Sequence, residues 1–181
     1  MSAPYHIRVV GDPVLRTAAA EVTDIDGKLV RLAHDMLETM YEAPGLGLAA
    51  PQVGVGKRLF VYDLDPDERA DPHVLVNPRI VESEGEWAYE EGCLSIPGLS
   101  FEIIRPKLVH IVGLDLDGNE VSIEADELQA RLFQHELDHL DGVLMTERMD
   151  ADTKKRALKE IRRIRDRAVE GDRREPSSFF S

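Results

Sequence analysis

The stretch Gln134-His135-Glu136-Leu137-Asp138-His139 constrains this chain more than any other. It is an H-E-x-x-H segment, whose chemistry exists only on a helix: at about 100° per residue, positions four apart share one face, about 40° apart in projection. His135 and His139 can then meet one metal ion. Glu136 falls to the side of that face, where a carboxylate can act on water as a general base. The fold must therefore bury a helix face carrying two imidazoles, and a third ligand must come from elsewhere in the chain.

A single domain suffices for this. A chain of 181 residues buries about 70% of the surface its unfolded form exposes. No apolar run approaches the roughly 20 residues needed to span a bilayer. The opening Met1–His6 lacks the basic and apolar regions of a signal peptide, and a single cysteine forbids an internal disulfide. The cytoplasm is the expected compartment. From Lys154 to Glu175 there are 10 Lys/Arg against 5 Asp/Glu, a balance of +5, which leaves −18 on the rest of a chain whose net charge is −13. An acidic body disfavours nucleic acid, so no DNA partner is expected.

Gly11-Asp12-Pro13 reads as a turn opening a short helical piece. Residues 26–42 predict an amphipathic helix, with Leu29, Leu32, Ala33, Met36, Leu37 and Met40 at three- and four-residue spacing and Pro44-Gly45 as the stop. Gly45–Gly54 reads as a glycine-bearing loop. Its match to a G-x-G-x-x-A dinucleotide fingerprint is superficial, because it follows a helix rather than a strand. Strands are expected within 57–64, 73–77, 79–82, 101–105, 108–114 and 120–123, with a break at Pro78 and a hairpin at Asp117-Gly118. In the glutamate-rich run from Glu82 to Glu91, Trp87 and Tyr89 alternate with small or charged neighbours, which fits a strand or an extended loop, and the charges read as solvated. The H-E-x-x-H helix is expected to start near Asp126, with Gln129 completing a capping box, and to end at Gly142.

Glu91-Gly92-Cys93-Leu94-Ser95 holds the only cysteine. A lone cysteine is ordinarily a small buried hydrophobe. Beside an H-E-x-x-H helix it becomes a candidate third ligand, since three protein ligands and an open position make a catalytic metal site. Enzymes with this segment differ in that ligand. A metzincin would place a histidine six residues after His139, where this chain has Met145. A thermolysin-like metallopeptidase would use a glutamate on a following helix, and Glu160, 21 residues after His139, has permissible spacing. Its basic neighbours offer it a simpler role as a surface ion-pair partner.

Three stretches occur intact and in order: Gly45-Leu46-Gly47-Leu48-Ala49-Ala50-Pro51-Gln52, Glu91–Ser95 and Gln134–His139. Together they closely resemble bacterial peptide deformylase, a likeness that runs from about Ile7 to Met149. The resemblance implies an α+β fold: a single compact domain with antiparallel β-sheets around the central H-E-x-x-H helix, and a C-terminal helix. It implies one divalent metal held by Cys93, His135 and His139. That metal is Fe2+ by resemblance, while Zn2+, Ni2+ or Co2+ also suit the donor set. The implied reaction is hydrolysis of the N-formyl group from the formylmethionine of newly made polypeptides, releasing formate. Glu136 would move the proton, and the Gln52 side-chain amide and Leu94 backbone N–H would stabilise the oxyanion. Gly47 and Gly92 would hold the peptide backbone, and Leu46, Leu128 and Leu132 the methionine side chain. Arg105 and Asp138 would support the ligands from behind. One departure is visible. Some members carry an arginine seven residues after the cysteine, where this chain has Ser100, and that bears on peptide-backbone preference.

The catalytic domain is expected to cover residues 1–171. Within it Lys154–Glu170 predicts a basic amphipathic helix with Leu158, Ile161, Ile164 and Ala168 as its apolar stripe. The stripe would pack on the body; the basic face is solvated or, as in some family members, meets ribosomal RNA. Residues 172–181 are expected to form a disordered tail.

Overall fold

The computed structural model describes residues 2–174. In chain order these form α1 (Gly27–Glu42), β1 (Gly47–Ala49), β2 (Leu59–Tyr62), β3 (His73–Glu84), β4 (Trp87–Cys93), β5 (Ile96–Arg105), β6 (Leu108–Leu114), β7 (Glu120–Asp126), α2 (Glu127–Leu140) and α3 (Ala151–Arg174). Five strands pair antiparallel in the order β1-β2-β3-β6-β7, and β4 and β5 form a separate antiparallel pair. The α+β architecture expected from the sequence is the one observed. Among the described residues no helix is long and apolar enough to cross a membrane.

Strand alternation supplies two cores from one sheet. Leu59 and Val61 of β2 join Leu29, Met36 and Met40 of α1, while Phe60 and Tyr62 join Phe133 of α2 with Leu75 and Ile111. β2 is therefore buried at all four positions, as a strand covered on both faces has no polar side. α1 starts where its sequence says it should, with the Asp26 carboxylate accepting from Leu29 N–H at 2.9 Å. α2 lies between this sheet and the β4–β5 pair, which places its two histidines in the interior.

Several local expectations give way to tertiary context. β3 runs through Pro78 instead of breaking there. Asn77 takes φ 51° and the register slips between Val76 and Arg79, a bulge in which proline's missing N–H is tolerated. The Asn77 side chain holds the bulge by bonding both the N–H and the C=O of Val22, at 2.8 and 2.9 Å. Gly45–Gly54 is only partly loop: Gly47–Ala49 form an edge strand, and Ala50–Val53 a 3₁₀ turn that ends at Gly54 with φ 84°. β5 begins at Ile96 rather than at Phe101.

α2 begins after Asp126, but no capping box forms. The Asp126 side chain makes no cap bond. The far end is as expected. Gly142 at φ 73° closes a Schellman motif, with Val143 N–H on the Asp138 carbonyl at 2.8 Å and Gly142 N–H on that of His139 at 3.2 Å.

α3 spans Ala151–Arg174 rather than 154–170, so residues 172–174, expected in the tail, are helical. Residues 175–181 of that expected tail lie outside the described residues. The buried side of α3 is Thr153, Ala157 and Ile161, whereas Leu158 is 37% exposed; the Ala168 side chain lies outside the described residues. Ile161 packs with Ile96 and Ile103, which seats α3 on β5.

Candidate metal centre

Cys93 ends β4, and the inner face of α2 brings His135 and His139 to it. The donor atoms of the three lie within 4.8 Å of one another. Cys93 Sγ is 3.3 Å from His139 Nε2, which is 3.1 Å from His135 Nε2. Glu160 is not part of this group. It accepts from Arg163 at 3.0 Å in an i,i+3 pair on the outside of α3, which removes the thermolysin-like alternative.

Glu91, read from sequence as part of a solvated run, is only 5% exposed and lies directly behind His135. Its Oε1 accepts from His135 Nδ1 at 2.5 Å and from Arg105 Nη2 at 2.7 Å. Its Oε2 accepts from Arg105 Nε at 2.8 Å and Arg131 Nη1 at 2.7 Å. Arg105 Nη1 also reaches Asp138 at 2.9 Å, and Asp138 takes two further bonds from Arg148 at 2.7 and 3.0 Å. Arg105 thus links Asp138 to the carboxylate that holds His135. Burial alone would raise the Glu91 pKa, but His135 and Arg105 hold it well below the usual carboxylate range. An ionised carboxylate can only accept, so the Nδ1 of His135 carries the proton and Nε2 faces the cluster.

The cluster suits a cation. Burial opposes charging His135, yet Cys93 and Glu91 hold its pKa well above the ordinary value. Burial and the His135 charge push that of His139 well below. Cys93 and Glu91 thus favour positive charge at His135. A thiolate with two imidazoles is a donor set for iron, zinc, cobalt or nickel.

Glu136 is 4% exposed, and its Oε2 has no hydrogen-bond partner among the described residues. Burial raises its carboxyl pKa to about 7. Gln52 is held by its own turn: Oε1 accepts from Ala49 N–H at 2.9 Å, which leaves Nε2 to approach Ser95 Oγ at 3.1 Å and Cys93 Sγ at 3.8 Å. A cleft of about 700 Å³ opens over the cluster, of the size that holds a small ligand. Leu46, Gly47, Gln52, Gly92, Leu94, Leu128 and Leu132 all line it, with Cys93, His135 and Glu136 at hand and Ser100 also on the wall. Leu132 is buried, whereas Leu128 stands at the mouth, 39% exposed.

A sequence profile of the polypeptide deformylases matches residues 4–155. The chain belongs to that family. A peptide deformylase of Agathobacter rectalis is 51% identical over 144 residues, covering 80% of this chain and 89% of the relative. One of Acidothermus cellulolyticus is 50% identical over 156 residues, covering 86% and 84%. Among solved structures, a Synechococcus elongatus peptide deformylase in complex with actinonin superposes with a TM-score of 0.84 at 44% identity, covering 88% of each chain. The peptide deformylase of Thermus thermophilus does so with 0.81 at 45%, covering 87% of this chain and 93% of that one. The chain is accordingly an enzyme, a hydrolase that removes the formyl group from newly made polypeptides.

Within the deformylase framework, Glu91, Ser95, Arg131 and Arg148 are the site residues that sequence reasoning did not single out. Glu91 carried a signal. Period 2 puts it on the same strand face as Cys93, two residues later, once 87–93 is recognised as a strand. Gly47, by contrast, was anticipated as a backbone contact, and geometry gives a second reason for it. A Cβ there would lie 2.7 Å from Glu136 Oε1. Gly47→Ala should therefore displace the Glu136 carboxylate and lower kcat, with metal content unchanged by elemental analysis.

Proposed function

We propose that Cys93, His135 and His139 hold one divalent metal, Fe2+, and that Glu136 carries the proton of formyl hydrolysis. The observation that carries this reading is the buried Glu136 carboxylate beside a Cys-His-His group at the floor of an open cleft. A divalent metal bound there supplies Lewis acidity and lowers the pKa of a water from 15.7 to about 7. The chain's residues do the rest. Glu136 accepts the proton of the attacking water and returns it to the leaving amine. Gln52, with Oε1 held by Ala49, presents Nε2 to the formyl oxygen, together with the Leu94 backbone N–H.

Gly47 lies on the edge strand of the main sheet and Gly92 on the strand opposite, so the peptide backbone fits extended between them. Leu46, Leu128 and Leu132 take the methionine side chain. Formate release from formyl-Met-Ala-Ser by iron-loaded protein under anaerobic conditions tests this directly. No formate from metal-replete protein overturns it.

A substrate of this kind is met in the cytoplasm, beside translating ribosomes. The outer side of α3 supports contact with ribosomal RNA there, since Lys155, Arg156, Lys159, Arg162 and Arg163 are all exposed. Salt-sensitive co-sedimentation with ribosomes should be lost on deleting residues 154–181; its survival would eliminate that contact.

A further inference from the structure

Arg131 lies on α2 one turn before His135, and it borders the cleft although its side chain is only 4% exposed. Its guanidinium gathers three acceptors from two strands. Nη1 donates to Glu91 Oε2 at 2.7 Å, and Nη2 to the carbonyls of Trp87 at 2.6 Å and Ile103 at 2.9 Å. Its carbon lies 5.3 Å from the centroid of the Trp87 ring and 5.8 Å from that of Tyr89. Those two rings stack on each other with centroids 4.6 Å apart. Tyr89 lines the cleft and is 44% exposed. One planar cation therefore touches both the carboxylate that orients His135 and the ring pair that walls the cleft.

We propose that Arg131 is a positioning residue that sets the His135 imidazole through Glu91 and the Tyr89 wall through Trp87, so that ligand geometry and cleft shape are fixed together. The role needs a fork. A lysine ammonium carries the charge but cannot hold a carboxylate and two carbonyls in one plane beneath stacked rings. For its effect on substrate this rests on the deformylation reading above; its effects on the metal and on the aromatic stack do not.

Arg131→Lys tests it, with Tyr89→Leu as the variant confined to the cleft wall. Trp87 is the only tryptophan, so its emission reports on the stack in metal-free protein without any turnover. Arg131→Lys should weaken metal affinity about tenfold in chelator competition, raise KM for formyl-Met-Ala-Ser and shift Trp87 emission. Tyr89→Leu should raise KM and shift the emission while leaving metal affinity at the wild-type value. Wild-type metal affinity in Arg131→Lys overturns the proposal, as does wild-type KM with unmoved emission, whatever the melting temperature. A loss of metal affinity in Tyr89→Leu also overturns it, because the ligand would then depend on the wall itself rather than on the Arg131–Glu91 bond. If Arg131→Lys does not fold, Arg131→Gln is read by the same three measurements. Absence of formate from the wild type would contradict the deformylation reading alone, since metal affinity and emission remain readable.

Discussion

Glu136→Gln should lower kcat for formate release by about 10²–10⁴-fold, the range of a lost general acid–base group, with bound metal and fold unchanged. The amide fills the same volume but cannot take a proton from water. Little holds the carboxylate structurally, since its Oε2 has no protein partner among the described residues and its Oε1 lies under Gly47. The pH dependence separates this from a packing defect. Burial raises the Glu136 pKa from 4.5 to about 7, so in metal-free protein the fold favours the neutral form. Stability contributed by this group is present at low pH and declines as pH rises from the unfolded value towards 7. Glu136→Gln should remove that decline, leaving the metal-free variant at least as stable as wild type at pH 8 in urea unfolding. The acid limb of the wild-type kcat profile should vanish with it.

Glu91→Gln should be the most damaging single change outside the ligands. It leaves two buried guanidinium groups, Arg105 and Arg131, facing a neutral amide whose single acceptor oxygen cannot serve them and His135 Nδ1 together. Breaking a buried ion pair from one side costs about 3–5 kcal/mol, and losing the partner of a ligating histidine weakens metal binding about 10–100-fold. The folded pKa of Glu91 is depressed, so its stabilisation is complete above the unfolded value near 4.5 and is lost as pH falls towards the folded one. Urea unfolding of wild type and variant should therefore differ fully at neutral pH, and the gap should close only in strong acid. An equal gap at every pH would show that the carboxylate charge is not what the arginines need.

What the sequence made legible was what is local. The H-E-x-x-H spacing, the amphipathic α1 and the Gly142 stop each rest on residues within a turn or two of one another. Cys93 became a candidate ligand only through its company, because a lone cysteine carries no such meaning. The missed features depend on what arrives from elsewhere. Pro78 reads as a break until Asn77 is seen bonding Val22 across 55 positions. Glu91 looks like a solvated acid until three cations from β5 and α2 converge on it. Asp126 and Gln129 have the residues of a capping box, but the Asp126 side chain makes no cap bond. Ser100 lies on the cleft wall.

Whether Cys93 is the third ligand is tested most directly by absorption of the cobalt-substituted protein. A thiolate-to-cobalt charge-transfer band in the near ultraviolet should be present in wild type and in Glu160→Ala, and absent from Cys93→Ser. A band that persisted in Cys93→Ser, or that disappeared in Glu160→Ala, would contradict a Cys93-His135-His139 site.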